Sequence, residues 1–168
     1  MSTTAAGIQF NTVTNESIAA ADDASQLAPL GFELVVPTAN AGNEVWIYVK
    51  ANGALTTGMV VARGAATVTY QDVIPAPIIT GIPGVIGVCV NPIGDNGFGF
   101  IMKKGICNVV AGTGTLDVDE AIVVDSTDVG TAMRATGGAG LSTDAGFGWA
   151  LATVAAAATA PCFIDCKG

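Results

Sequence analysis

The chain has 168 residues, 51% of them hydrophobic and 12% charged, which excludes a disordered, highly charged protein and suits a single folded domain. Its formal charge of -8 leaves six Lys and Arg residues, and only Lys103 and Lys104 are adjacent. Nucleic-acid binding draws its affinity from clustered cations, so we expect no nucleic-acid partner. With 22 glycines and 6% aromatic residues, the composition favours an all-β fold with tight turns.

The first predicted segment is an extended or partly ordered N-terminal arm at residues 1–29, rich in Ser, Thr, Ala and Asn. Residues 17–26 have the composition of a short helix within it. Ile8, Phe10 and Val13 are isolated apolar residues with no core of their own to join, so we predict that they contact a partner. The alternative is that they fold back onto the domain that follows.

From residue 30 to residue 168 we predict one small compact β-barrel or sandwich. Short β-branched runs alternate there with Gly, Pro, Asn and Asp about every ten residues, the spacing typical of such folds. The runs predict strands at 32–36, 44–50, 58–63, 67–70, 85–90, 97–103, 105–110, 121–125, 147–153 and 161–165. A weak echo between residues 53–61 and 114–124 has offsets that differ along its length, and we interpret it as similar local composition and not as a repeat.

Two of these strands have informative patterns. In the run 44–50, alternation places the aromatic residues Trp46 and Tyr48 on one face and the aliphatic residues on the other. In the run 97–110, the glycines beside Phe98 and Phe100 indicate a bulge or a close backbone approach, and Gly105 predicts a bend of the kind found at barrel corners.

Membrane and secretion signals are not evident in the sequence. Residues 1–6 lack the basic start of a secretion signal. The uncharged stretch 73–90 holds three prolines and the stretch 145–164 is mostly small residues, whereas a spanning helix needs about 20 predominantly apolar residues. We therefore expect no membrane partner and a protein that stays in the compartment where it is made.

The chemistry-bearing residues do not form a catalytic pattern. The chain has no histidine, which removes Ser-His and Cys-His nucleophilic pairs. The Gly-rich strings at 112–115 and 137–140 lack the Lys-Ser/Thr of a phosphate-binding loop. Asp117, Asp119 and Glu120 lack the spacing of an EF-hand, so we interpret them as a solvated loop. We expect no catalytic residues and no cofactor.

The four cysteines are Cys89, Cys107, Cys162 and Cys166. Without histidine, a zinc site would need all four thiolates, and the paired C-x-x-C spacing of such sites is missing. We expect them to be reduced, buried small hydrophobic residues and no metal site.

A longer pattern resembles a known family. It comprises LGF at 30–32, VWIYVKA at 45–51, VIGVCV at 85–90, DNGFGFIMKKGICNV at 95–109, AIVV at 121–124, GTA at 130–132 and GFGWAL at 146–151. Its order resembles that of the small capsid decoration proteins of tailed bacteriophages, also called head-stabilising or cement proteins. The resemblance covers roughly residues 30 to 165, and the arm and the four cysteines depart from it.

The resemblance implies a structural virion protein without enzymatic activity, synthesised in the host cytoplasm. Such a protein forms a compact β-barrel, is often a homotrimer, and binds the major capsid protein on the outer capsid surface, which it stabilises. Trp46, Tyr48 and Trp149 are further candidates for capsid or subunit contact, because aromatic residues are favoured at interfaces. Core packing is the alternative for these rings.

Two other functions stay open at this point. The first is a head-fibre or tip protein that binds a host surface through the Gly-rich loop 136–146. The second is an enzyme that uses Cys89 or Cys107 without histidine, and rapid reaction of either thiol at neutral pH would favour it.

Overall fold

The computed structural model describes residues 25–38, 42–64, 72–78, 84–135 and 146–167. In these residues the fold is all-β, as predicted. Its strands are β1 (Glu33–Thr38), β2 (Gly42–Ala51), β3 (Val60–Arg63), β4 (Asp72–Pro75), β5 (Val85–Val88), β6 (Phe98–Val110), β7 (Ala121–Val124), β8 (Ala132–Arg134), β9 (Gly148–Ala150) and β10 (Thr159–Asp165). In this part of the chain no helix is long and apolar enough to cross a membrane.

Seven predicted strands correspond directly to β1, β2, β3, β5, β7, β9 and β10. The two predicted strands at 97–103 and 105–110 are one continuous strand, β6. The sequence did not predict β4, which ends at a proline, or β8, which has only three residues. The predicted strand at 67–70 and most of the predicted arm and helix lie outside the described residues.

The ten strands belong to one sheet that closes on itself twice, so the predicted barrel or sandwich is not one clean barrel. The strand order is β1-β2-β4-β3-β5-β6-β10-β9-β7-β8, and β2 also pairs with β6. This second pairing closes a ring of five strands, which we call unit A: β2, β4, β3, β5 and residues 98–104 of β6. Its β2–β4 pairing is parallel, with Ala51 opposite Val73.

The second half of the sheet closes in the same way. Residues 105–110 of β6 pair with β10, followed by β9, β7 and β8. A parallel bridge between Ala111 and Ala132 brings β8 back to the end of β6. We call this ring unit B, and the two units share β6.

Unit B repeats the backbone plan of unit A, 61 positions further along the chain. The bridge Leu55–Ile93 in unit A has its counterpart in Leu116–Val154. Gly58 donates to the carbonyl of Cys89, and Asp119 donates in the same way to that of Ala150. The interpretation of the sequence echo as mere local composition was therefore wrong, because the two stretches occupy equivalent places in two copies of one structural plan.

The repeat depends on turn residues with a positive φ and on glycines at close backbone contacts, two kinds of position where few residue types fit. The second turn residue before β3, β6, β7 and β10 has a positive φ in each case, at Gly58, Asn96, Asp119 and Ala157. On β5 and β9, a side chain at Gly87 or Gly148 would meet the carbonyl oxygen of the neighbouring strand, that of Met102 or Phe163 respectively. Similar backbone conformations are thus specified twice by sequences with few identical residues.

Two hydrophobic clusters form the core of the described residues. Unit A encloses Val49, Ala51, Leu55, Val61, Val73, Ile86, Cys89, Ile93 and Ile101. A larger cluster contains the interior of unit B, the outer face of unit A, and Ala28 and Leu34 of the segment before β2. The predicted two faces of β2 are confirmed, since Trp46 and Tyr48 lie in the larger cluster and Val49 in the smaller one.

The bend predicted at Gly105 lies beside a bulge at Lys103, within one continuous strand. Gly105 has φ +139°, and the register with β2 shifts so that Val45 faces Lys104 while Trp46 faces Met102. Strict alternation along the strand would place Met102 and Cys107 on opposite faces, but the bulge brings both into the same cluster. The side of β6 that faces away from unit A therefore faces into unit B.

Candidate functional site

The six residues proposed for capsid or subunit contact have different positions in the structure. Ile8, Phe10 and Val13 lie outside the described residues. Trp46 and Tyr48 are buried, with 6% and 1% of their surface exposed, whereas Trp149 is 47% exposed. Only Trp149 of the three aromatic candidates therefore offers a side chain to the surface of one copy.

Packing within the chain accounts for the burial of Trp46 and Tyr48. The Tyr48 ring lies 5.0 Å from that of Phe100, and its hydroxyl accepts a hydrogen bond of 3.0 Å from the backbone N–H of Leu27. Trp46 Nε1 donates to Glu44 Oε2 over 3.1 Å. Both rings thus have an apolar body in the core and a polar group with a partner, the usual arrangement for buried Tyr and Trp.

Trp149 lies at the centre of an exposed apolar surface on unit B. Phe163 faces both Trp149 on β9 and Ile106 on β6, and the Trp149 and Phe163 rings stack at a centroid distance of 4.8 Å. Leu151, which donates its backbone N–H to the carbonyl of Pro161, lies beside them. Ile106 is 39% exposed and Leu151 38%. We call Ile106, Phe163, Trp149, Leu151 and Pro161 the unit B face.

The equivalent residues of unit A are buried. The row Ile106, Phe163, Trp149 across unit B corresponds to the row Trp46, Met102, Val88 across unit A. All three residues of the unit A row are core residues. They share their cluster with Ala28 and Leu34, and with Leu30 and Phe32 packed against it. The described residues therefore bury this surface in one unit and leave it open in the other.

An acidic loop borders the unit B face. Asp119 donates its backbone N–H to the carbonyl of Ala150, and Val118 N–H donates to Thr153 Oγ1 over 3.2 Å. These bonds hold Asp117, Asp119 and Glu120 beside Leu151, with Val118 50% exposed. Glu120, one of these three acidic residues, forms an ion pair with Arg134, with 3.8 Å between Oε1 and Nη1. The solvated loop predicted from sequence is thus a negatively charged rim of an apolar surface.

A shallow groove of about 390 Å³ lies where the two units meet. Trp46, Met102 and Cys107 contribute to its lining together with Glu44, Thr57 and Asn108. The described part of the chain brings no three His, Cys, Asp or Glu side chains together in a way that would hold a metal ion. The groove offers neither a pair of carboxylates nor an accessible thiolate for chemistry.

The cysteines are buried free thiols in the described structure. Burial raises the pKa of Cys89 to about 12 and that of Cys162 to about 11. Burial, with the neighbouring thiols of Cys162 and Cys166, also raises the pKa of Cys107. Because the thiolate is the reactive form, these thiols are poorly suited to nucleophilic chemistry at neutral pH.

Asp125 is a buried polar residue that the sequence analysis did not single out. Its carboxylate accepts hydrogen bonds from Thr127 Oγ1 at 2.6 Å, Thr127 N at 2.7 Å and Thr113 N at 3.0 Å. Burial acts to raise its pKa, but these bonds outweigh that effect and hold the pKa below its usual value. The sequence signal was present: an Asp followed by Thr two positions later is typical of a side-chain-capped turn.

The loop that Asp125 holds also joins the two units. Gly130 accepts a hydrogen bond from Val60 N and donates one to the carbonyl of Ala76, each 2.8 Å long. The Gly-rich string 112–115 lies against Asp125, since a side chain at Gly112 would overlap its carboxylate. This string is therefore a packing site for a carboxylate of the chain itself, and the string 137–140 lies outside the described residues.

Comparison with solved structures identifies a similar fold in a phage protein. The crystal structure of the head fibre gp8.5 N base of bacteriophage phi29 matches with a TM-score of 0.52 and 14% sequence identity, over 73% of this chain and 94% of that one. No protein-family model matches the chain. No curated protein matches it either. At this level of identity the likeness concerns the fold.

Proposed function

We propose that the chain is a structural protein of a bacteriophage head, which binds the outer surface of the capsid and stabilises it. The observation that carries the proposal is the shared fold with a head fibre N base, because the match spans nearly all of that base. The resemblance of the sequence pattern to capsid decoration proteins points to the same class independently of the fold. Virion localisation and the major capsid protein as partner follow from this proposal.

The physical properties of the chain suit a capsid-bound protein. Two closed rings that share one strand leave few free sheet edges, which limits unwanted pairing during assembly. Edge strand β1 carries Pro37, which cannot donate to a further strand. A formal charge of -8 supports solubility before binding, and the buried, high-pKa thiols fit a function without covalent chemistry.

The assembly that we propose is a homotrimer, with the N-terminal residues Ile8, Phe10 and Val13 as additional contacts to the shell. An arm of this kind stabilises a shell by adding contacts to neighbouring subunits. The trimer rests on the family resemblance, since the described residues belong to one copy.

The alternative is the base of a head fibre, which would hold a host-binding element away from the shell. The match to a head fibre N base favours it. The two functions differ in what they stabilise: a decoration protein raises the resistance of the shell to heat or pressure, whereas a fibre base binds the shell without such an effect.

The test is co-sedimentation of the purified protein with undecorated shells of the phage that encodes it, together with the thermal stability of the shells and the mass of the free protein. We expect the protein to pellet with the shells, raise their melting temperature and have the mass of a trimer. Binding without stabilisation would favour the fibre base, and failure to pellet would overturn a head function altogether.

A further inference from the structure

We propose that the unit B face is the surface that docks on the shell, and that its occupant is a capsid surface with an apolar centre flanked by Lys or Arg. The proposal rests on the proposed head function and specifies which part of the molecule carries it. Three features of the molecule support it: the equivalence of the two units, the apolar composition of the face and the charge of its rim.

The equivalence of the units indicates that this face is built to be covered. In unit A the corresponding row is buried in the larger cluster, which also contains Leu34 and has Leu30 and Phe32 packed against it. Phe32 packs edge-on against Phe100 with a centroid distance of 6.5 Å. Unit B has the same strands in the same order, but in the described part of the chain Trp149, Ile106 and Leu151 stay exposed.

The composition of the face is that of an interface centre. A stacked Trp and Phe pair with flanking aliphatic side chains is the type of cluster that carries most of the binding energy in protein interfaces. These side chains lie on or directly beside β6, β9 and β10, and β9 and β10 are paired with a strand on both sides. The face therefore needs no rearrangement to accept a partner.

The charge of the rim selects the partner. Asp117 and Asp119 lie beside Leu151, and Glu120 is only partly offset by Arg134. At the other end of the face, Lys104 and Asp165 neutralise each other over 3.0 Å. The rim is thus negative overall, which favours a basic partner and disfavours a second copy of an acidic chain.

The experiment measures binding of the full-length protein to undecorated shells, with the substitutions Trp149→Ala and Ile106→Ser on two different strands of the face. We expect each to weaken binding about 30-fold or more, as removal of an interface anchor does. Val129→Asp is the control, because Val129 is 51% exposed in a loop away from this face, and it should bind as the wild type does. Circular dichroism of each variant establishes that it is folded.

The rim is tested by the double substitution Asp117→Asn and Asp119→Asn, which keeps the size of both side chains and suits the positive φ of residue 119. We expect slower association and a weaker dependence of binding on salt, since rim charges act mainly on the association rate.

The outcomes separate the docking face from the head function. Wild-type protein that does not bind shells overturns both. Wild-type binding that Trp149→Ala and Ile106→Ser leave unchanged overturns the docking face alone. A change in the mass of the free protein caused by these two substitutions would show that the face joins copies of this chain, and would likewise overturn the assignment.

Discussion

Units A and B follow one backbone plan but differ in what covers them. Unit A has its outer row of Trp46, Met102 and Val88 in the core, whereas the matching residues of unit B form an exposed surface around Trp149. Unit B in turn has a buried carboxylate, Asp125, at a position where unit A has Gly64. The comparison shows that the shared backbone structure depends on turns and close backbone contacts. Side chains at other positions can therefore differ between the two units and have different functions.

The largest expected effect tests whether the two units depend on the same backbone contact. Gly87→Ala and Gly148→Ala each place a methyl group against the carbonyl oxygen of the adjacent strand. Each should destabilise the protein by about 3 kcal/mol, the cost of forcing atoms into a packed site. Urea unfolding measures this, with Gly114→Ala as the control because its added methyl meets nothing within 4 Å. Tolerance of only one substitution would break the equivalence of the units.

Asp125→Ala tests the feature that only unit B has. It leaves the backbone N–H groups of Thr113 and Thr127 without their acceptor, so we expect a loss of about 2 to 3 kcal/mol in the free energy of unfolding at neutral pH. Asp72→Ala is a control in unit A, because Asp72 is also buried and its carboxylate has no such set of hydrogen bonds to the described residues.

The stabilisation that the Asp125 carboxylate contributes depends on pH with a defined sign. The pKa of Asp125 is lowered in the folded state, so its stabilising contribution is present above the ordinary carboxyl pKa of 3.8 and is lost as the pH falls through the lowered value. The difference between the wild type and Asp125→Asn should therefore shrink between pH 5 and pH 2. A difference that grows on acidification would contradict the account.

Chemical labelling of single thiols compares how often units A and B open. In two single-cysteine variants that retain Cys89 in unit A or Cys162 in unit B, labelling by a disulfide reagent at pH 8 should be slow in the folded state. Burial raises the pKa of Cys162 to about 11 and that of Cys89 to about 12, so the thiolate fraction of either is small in the folded state, and the variant that is labelled faster identifies the unit that opens more often. Rapid labelling of Cys89 would revive a cysteine-based enzyme.

The smallest effect concerns one turn. Ala157 has φ +59° and its counterpart in unit A, Asn96, has φ +62°, whereas the turn before β3 has a glycine at this place, Gly58 at +81°. Ala157→Gly should stabilise the protein by about 0.5 kcal/mol, the relief of left-handed strain less the added freedom of the unfolded chain. Thermal unfolding measures the change. The reverse substitution, Gly58→Ala, should destabilise, because its methyl would lie 2.9 Å from Val110 Cγ2.

Much of the fold follows from the sequence because period-two alternation and Gly, Asn and Asp turns are local signals. The pattern of β2 predicted correctly that Trp46 and Tyr48 share a face. The double ring was not predictable in the same way, since it depends on β4, whose strand signal is interrupted by Pro75, and on a bulge at Lys103 whose size sequence does not show. The repeat was missed because it is carried by backbone geometry and not by identical side chains.

The candidate surface was predictable only in part. Trp46 and Trp149 both lie in predicted strands, and the sequence does not show that the first is buried and the second exposed. Ile106 and Leu151 lie in predicted strands, but their exposure depends on how unit B closes. Asp125 was within reach of the sequence, as its Asp-Ser-Thr-Asp context is typical of a capped turn.

The most direct test of the central claim is a cryo-electron microscopy reconstruction of shells decorated with this protein. The account predicts density for the protein on the outer surface, with β6, β9 and β10 of unit B against the shell and Trp149 inside the contact. A reconstruction in which unit A or β1 faces the shell, or in which Trp149 remains in solvent, would contradict it.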